Sequence, residues 1–346
     1  MREVKLAIVG AGVIGQRHLL ASDSIEHIKI VAIADPFSAA KSVADEYDVP
    51  LFANAREMLA ASQPDGVVIA TPTEHHLEPT LQSLDAGAHV LVEKPIMANL
   101  EECEQTNAKS LAMNRHVLVG HQRRYYGLVS KARDLIQQGE IGKLVAVNGQ
   151  WTMRKPVAYY QADWRKKWQA GPILTNLIHD MDLLRYLAGE VVSVTAETSN
   201  AVLNYEKEDA AAILMRFDNG ALGTFMLSDQ AHSPWSWEHA FGENAAFPPA
   251  YQNSIRFMGT NGSLDFPNLT LWKSTTGENC WNNNIAATEF TTETDDAYVN
   301  QMLHFGEVIR GEALPRISAQ DATATLRATL AVYESAATGS RVHLRN

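Results

Sequence analysis

The sequence is poor in cysteine, in positive charge and in long apolar runs. Its two cysteines, Cys103 and Cys280, lie far apart and fit no metal-ligand spacing, which points to a reducing compartment and to no bound metal. Lysine and arginine number 29 against 40 acids, and the formal net charge is −11. Nucleic acid and anionic membranes call for basic faces, so this balance argues against both as partners. No apolar run approaches the ~20 residues that span a bilayer, and a cytoplasmic protein is expected. The apolar run near Met1 has no small-residue cleavage site after it, so it does not read as a leader. Repeats and low-complexity segments are lacking too. What remains is 346 residues, 46% of them apolar, enough for two domains with separate cores.

The stretch Val4–Gly15, VKLAIVGAGVIG, is the strongest local signal. A buried-strand run ends in Gly10, Gly12 and Gly15, and a helix can start at the following residues. In this G-x-G-x-x-G spacing one glycine makes the turn, one admits a pyrophosphate and one packs helix on strand. The helix N-terminus offers free N–H groups to the phosphates. About twenty residues on, Ile28–Asp35 forms a second apolar run ending in an acid. An Asp there accepts from the adenosine ribose and repels a 2′-phosphate, so NAD is expected in preference to NADP.

Gly66–Ala70, His89–Val92 and Val117–Val119 continue the series of apolar runs, separated by helical stretches. Alternating strands and helices predict an α/β, doubly wound parallel sheet of the Rossmann type over residues 1–124. Ligands of such sheets bind beyond the strands' carboxyl ends, where Asp35, Thr71, Glu93-Lys94 and His121-Gln122 fall. Residues 125–346 have a different texture. Leu144–Met153, Val191–Thr198, Ala210–Phe217, Ala221–Ser228 and Ser254–Met258 read as strands with hairpin turns. Helices are predicted at about Leu174–Leu187, Ala297–Arg310 and Ala319–Thr338. This second domain is expected to be α+β, with a large, mainly antiparallel sheet open on one face. Val194, Ala211, Ile213, Met215, Leu222 and Phe225 are expected to make that face apolar, and a homodimer or homotetramer would bury it.

Two constellations could carry chemistry. Lys94 lies between Glu93 and Pro95 at a strand end, where a nicotinamide would sit. A neighbouring positive charge disfavours its charged form, which suits hydrogen bonding and proton exchange with a hydroxyl. In Gly171–Asp182, Thr175 and Asn176 lie one turn before His179, and Asp182 one turn after it. That imidazole is a plausible proton carrier, although a capped helix start with a satisfied histidine has the same pattern. Arg123, Trp164 and Arg165 belong to basic–aromatic clusters suited to substrate contacts. The polar, aromatic segment Asp229–Asn253 is long enough to be a lid or an oligomer contact.

GAGVIG at the start, ATPTEHH at Ala70–His76, AGAHVLVEKP at Ala86–Pro95 and GPILTNLIHDMDLLRYLAG at Gly171–Gly189 resemble the Gfo/Idh/MocA oxidoreductases. This is the group of glucose-fructose oxidoreductase and inositol dehydrogenase. The resemblance spans essentially the whole chain. It implies an NAD(P)-dependent dehydrogenase acting on a secondary alcohol of a sugar, polyol or related cyclic hydroxy compound. Lys94 and His179 are the implied catalytic residues. Cofactor contacts are implied at Gly10, Gly12, Val13, Ile14, Gly15, Asp35, Thr71, Pro72, His76, Glu93, Lys94 and Gln122. Substrate contacts are implied at Lys94, Arg123, Trp164, Arg165, Thr175, Asn176 and His179. Many members carry aspartate where this chain has Thr175, so the proton path through His179 differs here. An NAD-retaining glycosidase and a non-catalytic dinucleotide-binding regulator are the alternatives within the family.

Overall fold

The computed structural model describes every residue except 243–245, 294 and 345–346. It divides into two compact units, one of Met1–Tyr126 with Asp295–Leu326, the other of Gly127–Thr294 with Arg327–Asn346. In the first, β1 (Val4–Val9), α1 (Val13–Asp23), β2 (Ile28–Ala34), α2 (Ala40–Glu46), β3 (Leu51–Phe52) and α3 (Ala55–Ser62) are followed by a second run of alternating elements. These are β4 (Gly66–Ile69), α4 (Leu77–Asp85), β5 (His89–Val92), α5 (Leu100–Met113) and β6 (Val117–Val119). The strands form one six-stranded parallel sheet in the order β3-β2-β1-β4-β5-β6. Its inner strands are apolar without alternation because both faces are covered, as the complete burial of Val67, Val68, Val90 and Leu91 shows. Asn54 and Asn99 cap α3 and α5 by accepting from Glu57 N and Glu102 N.

The second unit contains α6 (Gly127–Gln137), β7 (Leu144–Thr152), α7 (Ile178–Ala188), β8 (Val191–Ser199), β9 (Ala210–Phe217), β10 (Leu222–Ser228) and α8 (Trp237–Phe241). It continues through β11 (Ile255–Gly259), β12 (Ser263–Phe266), β13 (Thr270–Ser274) and β14 (Ile285–Glu289). After α9 (Ala297–Arg310) and α10 (Ala319–Thr338), β15 (Val342–His343) adds a last edge strand. The nine-stranded sheet runs β14-β13-β12-β11-β7-β10-β9-β8-β15, antiparallel except for the β7–β10 pair.

Two expectations need correction. Residues 295–326 do not belong with the second unit. Met302, Phe305, Val308 and Ile309 of α9 join the core that holds Leu6, Ile8 and Val68. A Cβ on Gly66 would come within 2.6 Å of Ile309 and 2.9 Å of Phe305, so α9 lies directly on β4. The expected apolar face of the large sheet is also out by one residue. Val194, Ala211, Ile213, Met215 and Phe225 are buried, while Leu222 is on the other side of the strand alternation. The open face carries Leu214, Leu222, Met226 and Trp272 among polar groups such as Asn148, Thr224 and Arg256. Strands alternate sides, and the more apolar set went to the covered side. Among the described residues no helix is long and apolar enough to cross a membrane.

Candidate cofactor and substrate site

In the first unit β1 delivers the chain into the glycine turn. Gly10 has φ +93°, and a Cβ there would stand 2.8 Å from the backbone of Ala70. A Cβ on Gly15 would strike Gly10 O, which is helix–strand packing at closest range. Gly12 is different: a Cβ would meet nothing within 4 Å. No protein contact demands glycine at that point, whereas a pyrophosphate approaching the turn would. Gly12 also provides no side-chain cap to α1, which leaves the helix's first N–H groups for a ligand. Val13 and Ile14 are exposed beside the turn. These residues fit a dinucleotide.

Asp35 follows β2, and its carboxylate accepts from Ala11 N at 2.8 Å and Phe37 N at 2.9 Å. It therefore ties down the glycine turn as well as offering lone pairs outward. Asp35→Ser is expected to weaken NAD about tenfold, through loss of one charged hydrogen-bonding group, while narrowing the preference over NADP. Fluorescence titration with both nucleotides measures this. Equal affinity of the unaltered protein for the two would contradict the assignment.

Strand β5 ends at the Glu93-Lys94-Pro95 segment. Glu93 is buried, its Oε1 2.8 Å from His18 Nε2, and its Oε2 accepts from Lys94 N at 3.1 Å. A Cβ on Gly120 would fall 2.7 Å from the same carboxylate, so the backbone just past β6 lies directly against it. Burial pushes the Glu93 carboxyl up, but the His18 contact and the Lys94 charge outweigh this and hold it below the usual range. Glu93 thus supports the lysine's backbone from beneath. His18, on α1 and stacked edge-on against Tyr298 at 5.3 Å, has no place in the site read from sequence. The signal was an acid preceding the lysine and a histidine three residues after Gly15.

His76 is the residue of the T-P-x-x-x-H segment expected along the cofactor cleft. It is fully buried, with Nε2 2.9 Å from Thr71 O and Nδ1 3.0 and 3.2 Å from Pro95 O and Ile96 O. Burial lowers its pKa despite these carbonyls. The ring joins the Thr71-Pro72 loop to the segment after Lys94, and both loops lie at the carboxyl end of the sheet. Gln122 and Arg123 are buried in a 3-10 turn, Gln122–Tyr125, just beyond β6.

In the second unit the helix bearing His179 opens with a π-helical turn, Ile173–Leu177, before α7. Thr175 Oγ1 lies 2.9 Å from both Gly171 O and Asn176 Oδ1. Asn176 Oδ1 also accepts from Lys155 Nζ at 3.0 Å. Thr175, Asn176 and His179 are half-buried, and Asp182 is buried. Glu208 was missed by the sequence reading: it accepts from Ile173 N at 2.8 Å and from Tyr333 OH at 3.1 Å. Its carboxylate occupies the space a Cβ on Gly171 would need. Trp164 is exposed, and the Arg165 guanidinium lies 4.2 Å from the Tyr159 ring and 5.2 Å from that of Trp164. Within Asp229–Asn253, Trp237 is core and Trp151 Nε1 donates to Glu238 at 2.8 Å, so this part is not a lid. Residues 243–245 of that segment lie outside the described residues. No cluster of three metal-ligating side chains occurs among the described residues.

Residues 4–121 match the family described as "Oxidoreductase family, NAD-binding Rossmann fold", and residues 129–265 match the "GFO/IDH/MocA C-terminal domain". The chain belongs to the Gfo/Idh/MocA family. It is an NAD-binding oxidoreductase. Scyllo-inositol 2-dehydrogenase (NAD(+)) of Bacillus subtilis is 27% identical over 352 aligned residues, 99% of this chain and 96% of the relative. The rhizopine catabolism protein MocA of Rhizobium meliloti is 26% identical, over 96% of this chain and 95% of its own. The WlbA dehydrogenase of Bordetella pertussis, solved with NADH and UDP-GlcNAcA, shares the fold with a TM-score of 0.80 at 23% identity, over the whole of both chains.

Proposed function

We propose that this Gfo/Idh/MocA protein is a dehydrogenase acting on a secondary alcohol of a sugar, polyol or related cyclic hydroxy compound. The observation that carries the reading is the placement of Lys94. It follows β5, at the carboxyl end of the sheet that also bears the glycine turn and Asp35, on a backbone anchored by Glu93. The relatives named as inositol dehydrogenases support the substrate class. NAD, when bound, supplies the hydride acceptor. Lys94 Nζ donates to the reacting oxygen and steadies the alkoxide that develops there. His179, at the start of α7, is the residue that the family resemblance assigns as carrier of the hydroxyl proton. Trp164 and Arg165 offer an aromatic and cationic surface to the rest of the substrate. A panel of sugars, polyols and sugar acids, followed by the absorbance of reduced nicotinamide, tests the proposal. Reduction by none of them would overturn it.

The open sheet face is the expected homo-oligomer contact. Leu214, Leu222, Met226 and Trp272 are 39–47% exposed there, and a second copy would cover them. Light scattering at micromolar concentration is expected to give a dimer or tetramer, and Leu214→Glu with Met226→Glu a smaller species. A monomer of the unaltered chain contradicts this.

A further inference from the structure

His18 and Glu93 form a buried polar contact that core packing does not call for. His18 is fully buried on α1, where its neighbours Leu19 and Ala21 fill the core as apolar groups. Its Nε2 lies 2.8 Å from Glu93 Oε1, while its Nδ1 is buried with no hydrogen-bond partner among the described residues. A carboxylate offers only lone pairs, so Nε2 carries the proton of this contact. Taking an imidazole and a carboxylate out of water costs more than a well-packed apolar pair in the same place. The ring bears that cost for its Nε2 side alone.

Glu93 shows what is obtained. The sheet pairing of β5 ends at Val92, two residues short of Lys94. Side chains hold the backbone beyond it: Lys94 N donates to Glu93 Oε2 at 3.1 Å, and Ala98 N to Glu102 at 3.1 Å. Fixing Oε1 stops the carboxylate from rotating, which keeps Oε2 on the Lys94 N–H. Without the His18 donor, a buried carboxylate takes up a proton or turns away to find another partner.

The imidazole is braced in turn by the first turn of α9. Tyr298 meets it edge-on at 5.3 Å. Arg17, beside His18 on α1, pairs with Asp296, the cap of α9, and lies 4.7 Å over the Tyr298 ring. Residues 295–326 thus bring to the first unit a support for the loop after β5 as well as a core helix.

We propose that His18 is a positioning residue for Lys94: its Nε2–H fixes the Glu93 carboxylate that holds the Lys94 backbone at the carboxyl end of the sheet. The inference rests on the role given to Lys94 in the dehydrogenase reading. No proton passes between the ring and the carboxylate during the reaction. The charged and titratable groups that face Glu93 are His18 from α1, Lys94 on its own loop and His76 from the start of α4. The His18 contact is the strongest of the influences that hold the Glu93 carboxyl down, and burial alone pushes it up. Removing the donor therefore raises the Glu93 pKa, and a protonated Glu93 holds the Lys94 N–H less well.

Two measurements on the full chain test this. In protein labelled with 13C-glutamate, the Glu93 carboxyl signal, assigned by its loss in Glu93→Gln, is expected to titrate below the ordinary 4.5. In His18→Leu it should titrate above that value. In His18→Gln, whose amide nitrogen reaches the place of Nε2 and donates, it should stay below. A Glu93 signal unmoved in His18→Leu overturns the proposal, whatever the activity. On the compound found by the panel, His18→Leu is expected to lose about tenfold to a hundredfold in turnover, more at lower pH, with NAD affinity within about twofold. His18→Gln should recover most of that loss. A ring that served packing alone would be missed equally in both variants, so equal turnover in the two overturns the proposal. A loss of NAD affinity in proportion to turnover does the same, because it assigns His18 to the glycine turn. His18→Asn, too short to reach Oε1, serves where His18→Leu does not fold. Failure of the dehydrogenase reading shows differently: no compound reduces NAD in any variant, while the Glu93 signal still responds to His18→Leu.

Discussion

Lys94→Ala is expected to cut turnover by about a hundredfold or more while leaving NAD affinity within about twofold. The separation follows from how the lysine is held. Glu93 accepts from the Lys94 backbone N–H, and that bond survives truncation of the side chain. The His18–Glu93 contact, the close approach of Gly120 and the Thr71 loop clamped by His76 are likewise untouched. What disappears is the amine, with its proton and its charge, and the three methylenes that carry it. Steady-state kinetics paired with fluorescence titration of NAD reads the two effects apart. Turnover equal to that of the unaltered enzyme would remove Lys94 from the mechanism. A parallel loss of NAD affinity would show the amine to be a cofactor anchor instead.

The parts of this site that were legible are those made by neighbours in sequence. Gly10, Gly12 and Gly15 declare themselves because a tight turn, a close approach and a helix contact each forbid a side chain within six positions of one another. Asp35 is legible because strand length alone brings it to the sheet's end. Lys94 stands in a three-residue segment after an apolar run. His18 and Glu93 are separated by 75 positions, and each alone reads as an ordinary polar residue on an ordinary element. The same holds for Lys155 with Asn176, and for Glu208 with Ile173. In each case a side chain on one element serves the backbone or side chain of another far along the chain.

Sheet polarity failed for a different reason. Ile213 and Leu214 are neighbours of nearly equal hydrophobicity on opposite faces, and only the packing decides which is covered. α9 was legible as a helix, but a helix does not name the sheet it will cover. The fourth strand of the β11–β14 series is exposed along its whole length, so burial left no alternation in its residues to read.

The largest effect on stability is expected from Lys207→Met. Lys207 is fully buried, and its amine donates to Asp229 Oδ2 at 2.8 Å and Glu208 O at 2.9 Å, with Asp209 Oδ1 at 3.5 Å. Asp209 Oδ2 is already committed to the backbone N–H groups of Val202 and Leu203, both at 2.9 Å. Removing the cation therefore leaves two buried carboxylates facing the vacated space. A broken buried pair of this type costs about 3–5 kcal/mol, which urea unfolding of the second unit should register. A cost below about 1 kcal/mol, the range of surface pairs, would show that water or a shift of Lys155 replaces it. Adding Asp229→Asn is expected to recover part of the loss, because it removes one of the stranded charges. Without Lys207, Asp229 is free to draw on Lys155, and the repulsion that opposed its ammonium is gone. The Lys155 pKa, pulled down by burial to about 8, is then expected to rise.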